Sequence, residues 1–138
     1  MPNGIDLILA DHATVKALFA EFDKTGEAGL IGQVIDALKA HDDAEHAALY
    51  PMAWSILNDG KLSQRCEIAH SRVKQQIELI TGLEGQPLID GFRVLRDLVL
   101  DHAADEEKHV LPAMAQRATE QELDVLGARI LRAKQRGG

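Results

Sequence analysis

Two fragments of the chain echo one another, HDDAEHAALYP from His41 and HAADEEKHVLP from His102, and the echo constrains the rest of the fold. Each carries a Glu four residues after its His and a Pro ten residues after it. Residues at i and i+4 share a face of an α-helix, so both fragments read as helical. A lone His precedes each copy, His12 in DHATVKALF and His70 in AHSRVKQQI. The order is therefore His, His-x-x-x-Glu, His, His-x-x-x-Glu. Four imidazoles and two carboxylates converging in one interior make a two-metal site.

Apolar residues recur at helical spacing almost throughout, and no segment alternates as a strand would. A first helix is expected from about Ile5 to Asp23, closed by KTGEAG with Gly26 as its C-cap. A second starts near Leu30 and runs to Pro51 or, kinked, to Leu57, after which NDG turns the chain. A third covers Leu62 to Ile80. Pro87 suits the first turn of a fourth, which continues to about Gln116. Thr119 and Glu122 form the capping box of a short fifth, about residues 119–136. Long helices joined by short loops become antiparallel neighbours. The expected fold is all-α: an up-down-up-down four-helix bundle over about residues 4–116, with a short C-terminal fifth helix, in one domain of 138 residues. An apolar stripe at Leu123, Leu126 and Ile130 would let the fifth helix cap its own bundle or a neighbour's.

Steps of three and four along each helix place the candidate ligands on the core stripe. His12 follows Ile8 and precedes Val15 and Phe19. His41 and Glu45 follow Val34 and Leu38 and precede Ala48 or Leu49. His70 lies between Cys66 and Val73. His102, Glu106 and His109 follow Leu95 and Val99 and precede Ala113. Random placement would put each polar residue on a two-in-seven stripe about 30% of the time, so six hits are on the order of one in a thousand. A buried, unpaired Glu costs several kcal/mol, and a metal pair offsets that for two of them. Helices two and four run parallel in such a bundle, which brings His41/Glu45 and His102/Glu106 to similar heights. Near two-fold symmetry follows, with two His per metal and two Glu between them.

These three stretches, DHATVKALF, HDDAEHAALYP and HAADEEKHVLP, resemble the hemerythrin-like HHE cation-binding domain over roughly residues 4–116. The resemblance implies a non-haem di-iron centre bridged by an oxygen atom and carboxylates. His12, His41, His70 and His102 would be terminal ligands, and Glu45 and Glu106 the bridges. Oxygen-carrying hemerythrins use five histidines, with a His-x-x-x-His on the third helix, and here Lys74 stands four after His70. Their fourth helix carries an Asp five after its His, where this chain has Glu106 at four and Glu107 at five. Fewer histidines leave more open positions on the irons, unless Glu107 or another side chain closes one. Open positions favour reaction with hydrogen peroxide, nitric oxide or dioxygen, in a catalase- or peroxidase-like manner, over reversible carriage. A non-catalytic oxygen or iron sensor is the alternative. A ferritin-like carboxylate site ranks last, because only Glu106 and His109 supply the Glu-x-x-His that it needs on two helices.

Other residues have blander readings. His109 is either a partner or extra ligand at the site or a histidine bonded to a carbonyl. His46 is expected at the surface. Tyr50, nine after His41, lies about 180° round an ideal helix and should point away unless Pro51 distorts the turn. Cys66, Trp54 and Phe92 read as core. Asp11 and Asp101, each preceding a candidate His, either orient imidazoles or are solvated. A net charge of −7 disfavours nucleic acid and anionic membrane as partners, leaving a small-molecule ligand and a monomer or weak homodimer as the expectation. Basic residues cluster in RILRAKQRGG, as the macrodipole of a helix C-terminus favours. No apolar run is long enough to span a bilayer, MPNGIDLILADH does not read as a secretory signal, and the one cysteine cannot form an internal disulfide. Cytoplasm is the expected compartment.

Overall fold

The computed structural model describes residues 3–137, which form a helical bundle with no strand among them. Seven α-helical segments follow one another: α1 (Gly4–Thr25), α2 (Gly29–Ala44), α3 (Tyr50–Leu57), α4 (Gly60–Ile80), α5 (Gly85–Asp105), α6 (Leu111–Arg117) and α7 (Glu120–Gly137). A π turn at Glu45–Leu49 joins α2 to α3, and a second at Glu106–Val110 joins α5 to α6. The chain thus makes four long rods in up-down-up-down order, followed by α7.

Local chemistry sets the ends of the rods. Asn3 Oδ1 accepts from the Ile5 amide at 2.8 Å, opening α1, and Gly26 closes it at φ 67°, where its amide reaches the Phe22 carbonyl. Asp59 caps α4 by accepting from Leu62 N at 3.0 Å. Thr119 and Glu122 exchange the reciprocal bonds of a capping box at 2.9 and 3.0 Å ahead of α7.

The π turns are where the chain departs from the ideal helix. Tyr50 N–H bonds to the Glu45 carbonyl, and Leu111 N–H to the Glu106 carbonyl, each five residues back. Pro51 and Pro112 follow immediately. A proline donates no hydrogen bond and crowds the carbonyl four residues before it, here those of Ala47 and Lys108, and a widened turn relieves the crowding. One extra residue per turn rotates everything beyond it. Tyr50 and Leu111 therefore stack over the two glutamates.

Buried apolar side chains fall into two clusters. One holds Ile8, Leu49, Tyr50, Cys66, Leu111 and Met114 with Leu126 and Ile130 of α7. The other holds Phe19, Phe22, Val34, Leu38, Ile80 and Phe92. Between them lies the layer of histidines and glutamates. α7 packs on α1, α2 and the first π turn, so its apolar stripe covers this chain's own bundle. A Cβ on Gly4 would stand 2.3 Å from Leu126 Cγ, so the approach of α1 to α7 requires glycine there.

Candidate metal centre

Each of the four rods contributes to one layer. His12 comes from α1, His41 and Glu45 from the end of α2 and the start of its π turn, His70 from α4, and His102 and Glu106 from the matching place on α5. Glu45 and Glu106 are 0% exposed and His12 is 6% exposed, a depth at which unpaired carboxylates are very costly. Two groups of four have ligand atoms close enough to share an ion: His12, His41, Glu45 and Glu106, and Glu45, His70, His102 and Glu106. Both glutamates belong to both groups.

All four imidazoles turn one nitrogen inward, and three of them set the other onto an outer acceptor. His41 donates from Nδ1 to Asp11 Oδ2 at 3.0 Å while Nε2 lies 3.2 Å from Glu45 Oε2. His70 donates from Nδ1 to Asp42 and sets Nε2 2.9 Å from Glu45 Oε1. His12 donates to Glu107 Oε2 at 2.9 Å and faces Glu106 Oε1 at 3.1 Å with Nε2. His102 sets Nε2 3.3 Å from Glu106 Oε2, but its buried Nδ1 has no protein partner. A carboxylate on Nδ1 fixes that proton there and presents the Nε2 lone pair to the centre.

The electrostatics agree with a site built for cations. Burial opposes charge on His41, yet Glu45 and Asp11 on its two sides outweigh it and raise its pKa to about 10. Burial likewise opposes charge on His70, and Asp42 and Glu45 raise it to about 9. Glu106 is held well below its ordinary range, against its burial, by hydrogen bonds from His102 and His12. Asp11 is lowered too, because bonds from His41 and Lys134 overcome its desolvation. Glu45 Oε2 is buried and, although close to His41 Nε2, is off the line of a hydrogen bond. An incoming cation would take the place of the inward protons and meet that oxygen. The residues fit a metal pair.

Tyr50 points into the site, not away from it. It is 2% exposed, and Oη lies 2.5 Å from Glu106 Oε2, 2.7 Å from His70 Nε2 and 3.0 Å from His102 Nε2. The first π turn brings it there by stacking it over Glu45. Its ring stacks on Trp54 at 4.9 Å and 16°. The second π turn has the opposite effect on His109, which does not join the layer: its side chain is 48% exposed and 3.8 Å from Asp105. Val110 and Met114 take the core positions expected for His109 and Ala113. Glu107 braces His12 from outside. Asp101 is exposed, whereas Asp11 orients His41 instead of the His12 that it precedes. Asp42, His46 and His70 form a third cluster at the rim, where His46 is 41% exposed and donates to the Asp42 carbonyl at 3.1 Å. Cys66 is fully buried, and burial pushes its thiol up to about 12, which keeps it neutral.

Fold and site together define a helical bundle with a buried layer of His and Glu that could hold a cation. The model of the hemerythrin HHE cation binding domain matches residues 3–114, and the chain belongs to that family. A DNA nickase of Nostoc sp. (strain PCC 7120 / SAG 25.82 / UTEX 2576) is 31% identical over 118 residues, covering 81% of this chain and 33% of the relative. The chain thus spans about a third of the length of that curated relative. A hemerythrin HHE cation binding domain-containing protein from Mycobacterium kansasii, solved by crystallography, superposes with a TM-score of 0.84 over 99% of this chain and 88% of that one. At 21% identity, that likeness is one of fold. No helix among the described residues is long and apolar enough to cross a membrane.

Proposed function

We propose that the layer is a dinuclear non-haem iron centre that reacts with a small oxidant or gas, hydrogen peroxide, nitric oxide or dioxygen. In this reading His12 and His41 hold one ion, His70 and His102 the other, and Glu45 and Glu106 lie between them. One observation carries it: the same two fully buried carboxylates serve both groups of four. In the stripped site imidazoles offset these two carboxylates, and a pair of multivalent cations would take over that role when bound. Tyr50 is the added donor on the His70/His102 side. Imidazole, carboxylate and phenol oxygen together suit a hard, redox-active ion. Bound iron would supply the electrons or the Lewis acidity for the reaction.

The protein's own contribution is enclosure and proton placement. A cavity of about 40 Å³ adjoins the layer, walled by Val15, Leu38, Val73, Val99 and Leu100. Its small size suits a diatomic or a peroxide. Across the layer from those walls, the Tyr50 hydroxyl donates to Glu106 and keeps a proton within reach. The nickase activity named for the Nostoc relative is not carried over, since two thirds of that protein lies outside the match and a net charge of −7 repels DNA.

Metal analysis and an optical spectrum of protein purified in air test the centre, and peroxide consumption tests the activity. Two irons per chain, oxo-bridge absorption and turnover are expected. Zinc alone, or less than one iron per chain, would overturn the centre. Two irons without turnover of peroxide or nitric oxide would leave a non-catalytic sensor.

A further inference from the structure

α7 lies beyond the residues matched by the family model, yet it reaches the metal layer. Lys134 Nζ donates to Asp11 Oδ1, and the other oxygen of the same carboxylate accepts from His41 Nδ1 at 3.0 Å. The Asp11 side chain is 17% exposed and that of Lys134 33%, so the pair is shielded from full solvent competition. The other imidazoles lack an equivalent. Lys16 approaches Glu107 behind His12 at 3.3 Å, but its side chain is 48% exposed. Among the described residues no lysine or arginine pairs with Asp42 behind His70, and nothing backs His102 Nδ1. A carboxylate held by one donor can swing about its last torsion, whereas charged donors on both oxygens fix its plane.

We propose that Lys134 is a positioning residue for the centre: through Asp11 it fixes the ring of His41, so that the C-terminal helix sets how firmly the His12/His41 position holds its ion. This rests on the dinuclear reading above. The rival is a plain tether, in which Lys134 only holds α7 to α1.

The test is the release of two bound ions from the full chain to a chelator, followed optically. Variants are Lys134→Met, Lys134→Arg, Asp11→Asn and the Met/Asn double. Wild type should release in two phases. Lys134→Met should speed one phase about tenfold, the low end for losing an outer partner of a metal ligand, and leave the other unmoved. Lys134→Arg should restore it. Asp11→Asn should match Lys134→Met, and the double should be no faster than either single. Both phases speeding together, with a matching fall in the Tm of the metal-free protein, would assign Lys134 to tethering and overturn the proposal. So would phases unchanged in Lys134→Met, or a Lys134→Arg as labile as Lys134→Met. A wild type that never retains two ions removes the dinuclear reading itself, before any variant is compared.

Discussion

The half of the bundle from α1 to α3 and the half from α4 to α6 repeat the same plan with different supports. Both carry a His, then a His-x-x-x-Glu, a π turn and a Pro. Asp11, which precedes His12 and braces His41, is matched by Ala69, which precedes His70, and so His102 Nδ1 has nothing behind it. Asp42 braces His70, while its counterpart Ala103 leaves His12 to be braced by Glu107. Tyr50 enters the layer, while Leu111 stacks in the same place as a hydrocarbon. α7 packs chiefly on the α1–α3 half. Repetition supplies the inner side chains, and its lapses make the two positions unequal.

The largest effect should come from removing what the halves share. Glu45→Gln or Glu106→Gln should weaken retention of both ions by about 100-fold or more, read as metal content after dialysis. The same change should lower the Tm of the metal-free protein, because each carboxylate is the buried partner of two imidazoles and taking away one side of such a pair leaves the other uncompensated. A variant that keeps its ions would break the view that these carboxylates sit between two cations.

Next comes the Tyr50/Leu111 contrast. Tyr50→Phe should abolish any phenolate-to-metal visible band and, by leaving Glu106 short of a donor, cost about 1–3 kcal/mol. Leu111→Ala should keep that band and cost about 2–5 kcal/mol, as a core truncation does. Equal spectral effects in the two variants would erase the distinction between the halves.

A third test uses pH. His41 and His70 have pKa values raised to about 10 and about 9. Their contribution to the stability of metal-stripped protein is complete below the unfolded value near 6.5 and is lost as pH rises through about 9 to about 10. Loading metal near pH 7 must then expel about two protons, one from each half. Calorimetry in buffers of different ionisation enthalpy measures the number, and release of none would contradict the assignment.

The smallest expected effect is a gain. Ala69 and His102 line one surface groove. Ala69→Asp should give His102 Nδ1 the partner that His41 already has and slow metal release a few-fold. Unchanged release would show that the missing brace is not what separates the halves.

Much of this was legible in the chain because ligand spacing and helix period are the same arithmetic. Four rods, their caps at Gly26 and Thr119, and the convergence of six polar residues all follow from counting threes and fours. The misplacements of Tyr50 and His109 share one cause, since a single extra residue in each π turn moved the first inward and the second outward. Pro51 and Pro112 mark those turns, but a proline alone does not distinguish a kink from a widened turn. Asp42 behind His70 and Lys134 behind Asp11 are contacts between rods. They depend on how the rods are rotated against one another, which periodicity along one rod does not encode.

The separation of the apolar interior into two clusters bears on how the molecule comes apart. With cations in the dividing layer, the clusters are bonded across it and should melt as one unit. Stripped of them, the clusters are linked across the layer only by imidazole–carboxylate pairs, and all-or-none unfolding should fail. Trp54 packs against one cluster only, so its fluorescence and the far-ultraviolet helical signal should coincide along a denaturant titration of the loaded protein and part company in the stripped one. The ions would then decide whether this chain behaves as one cooperative body or as two.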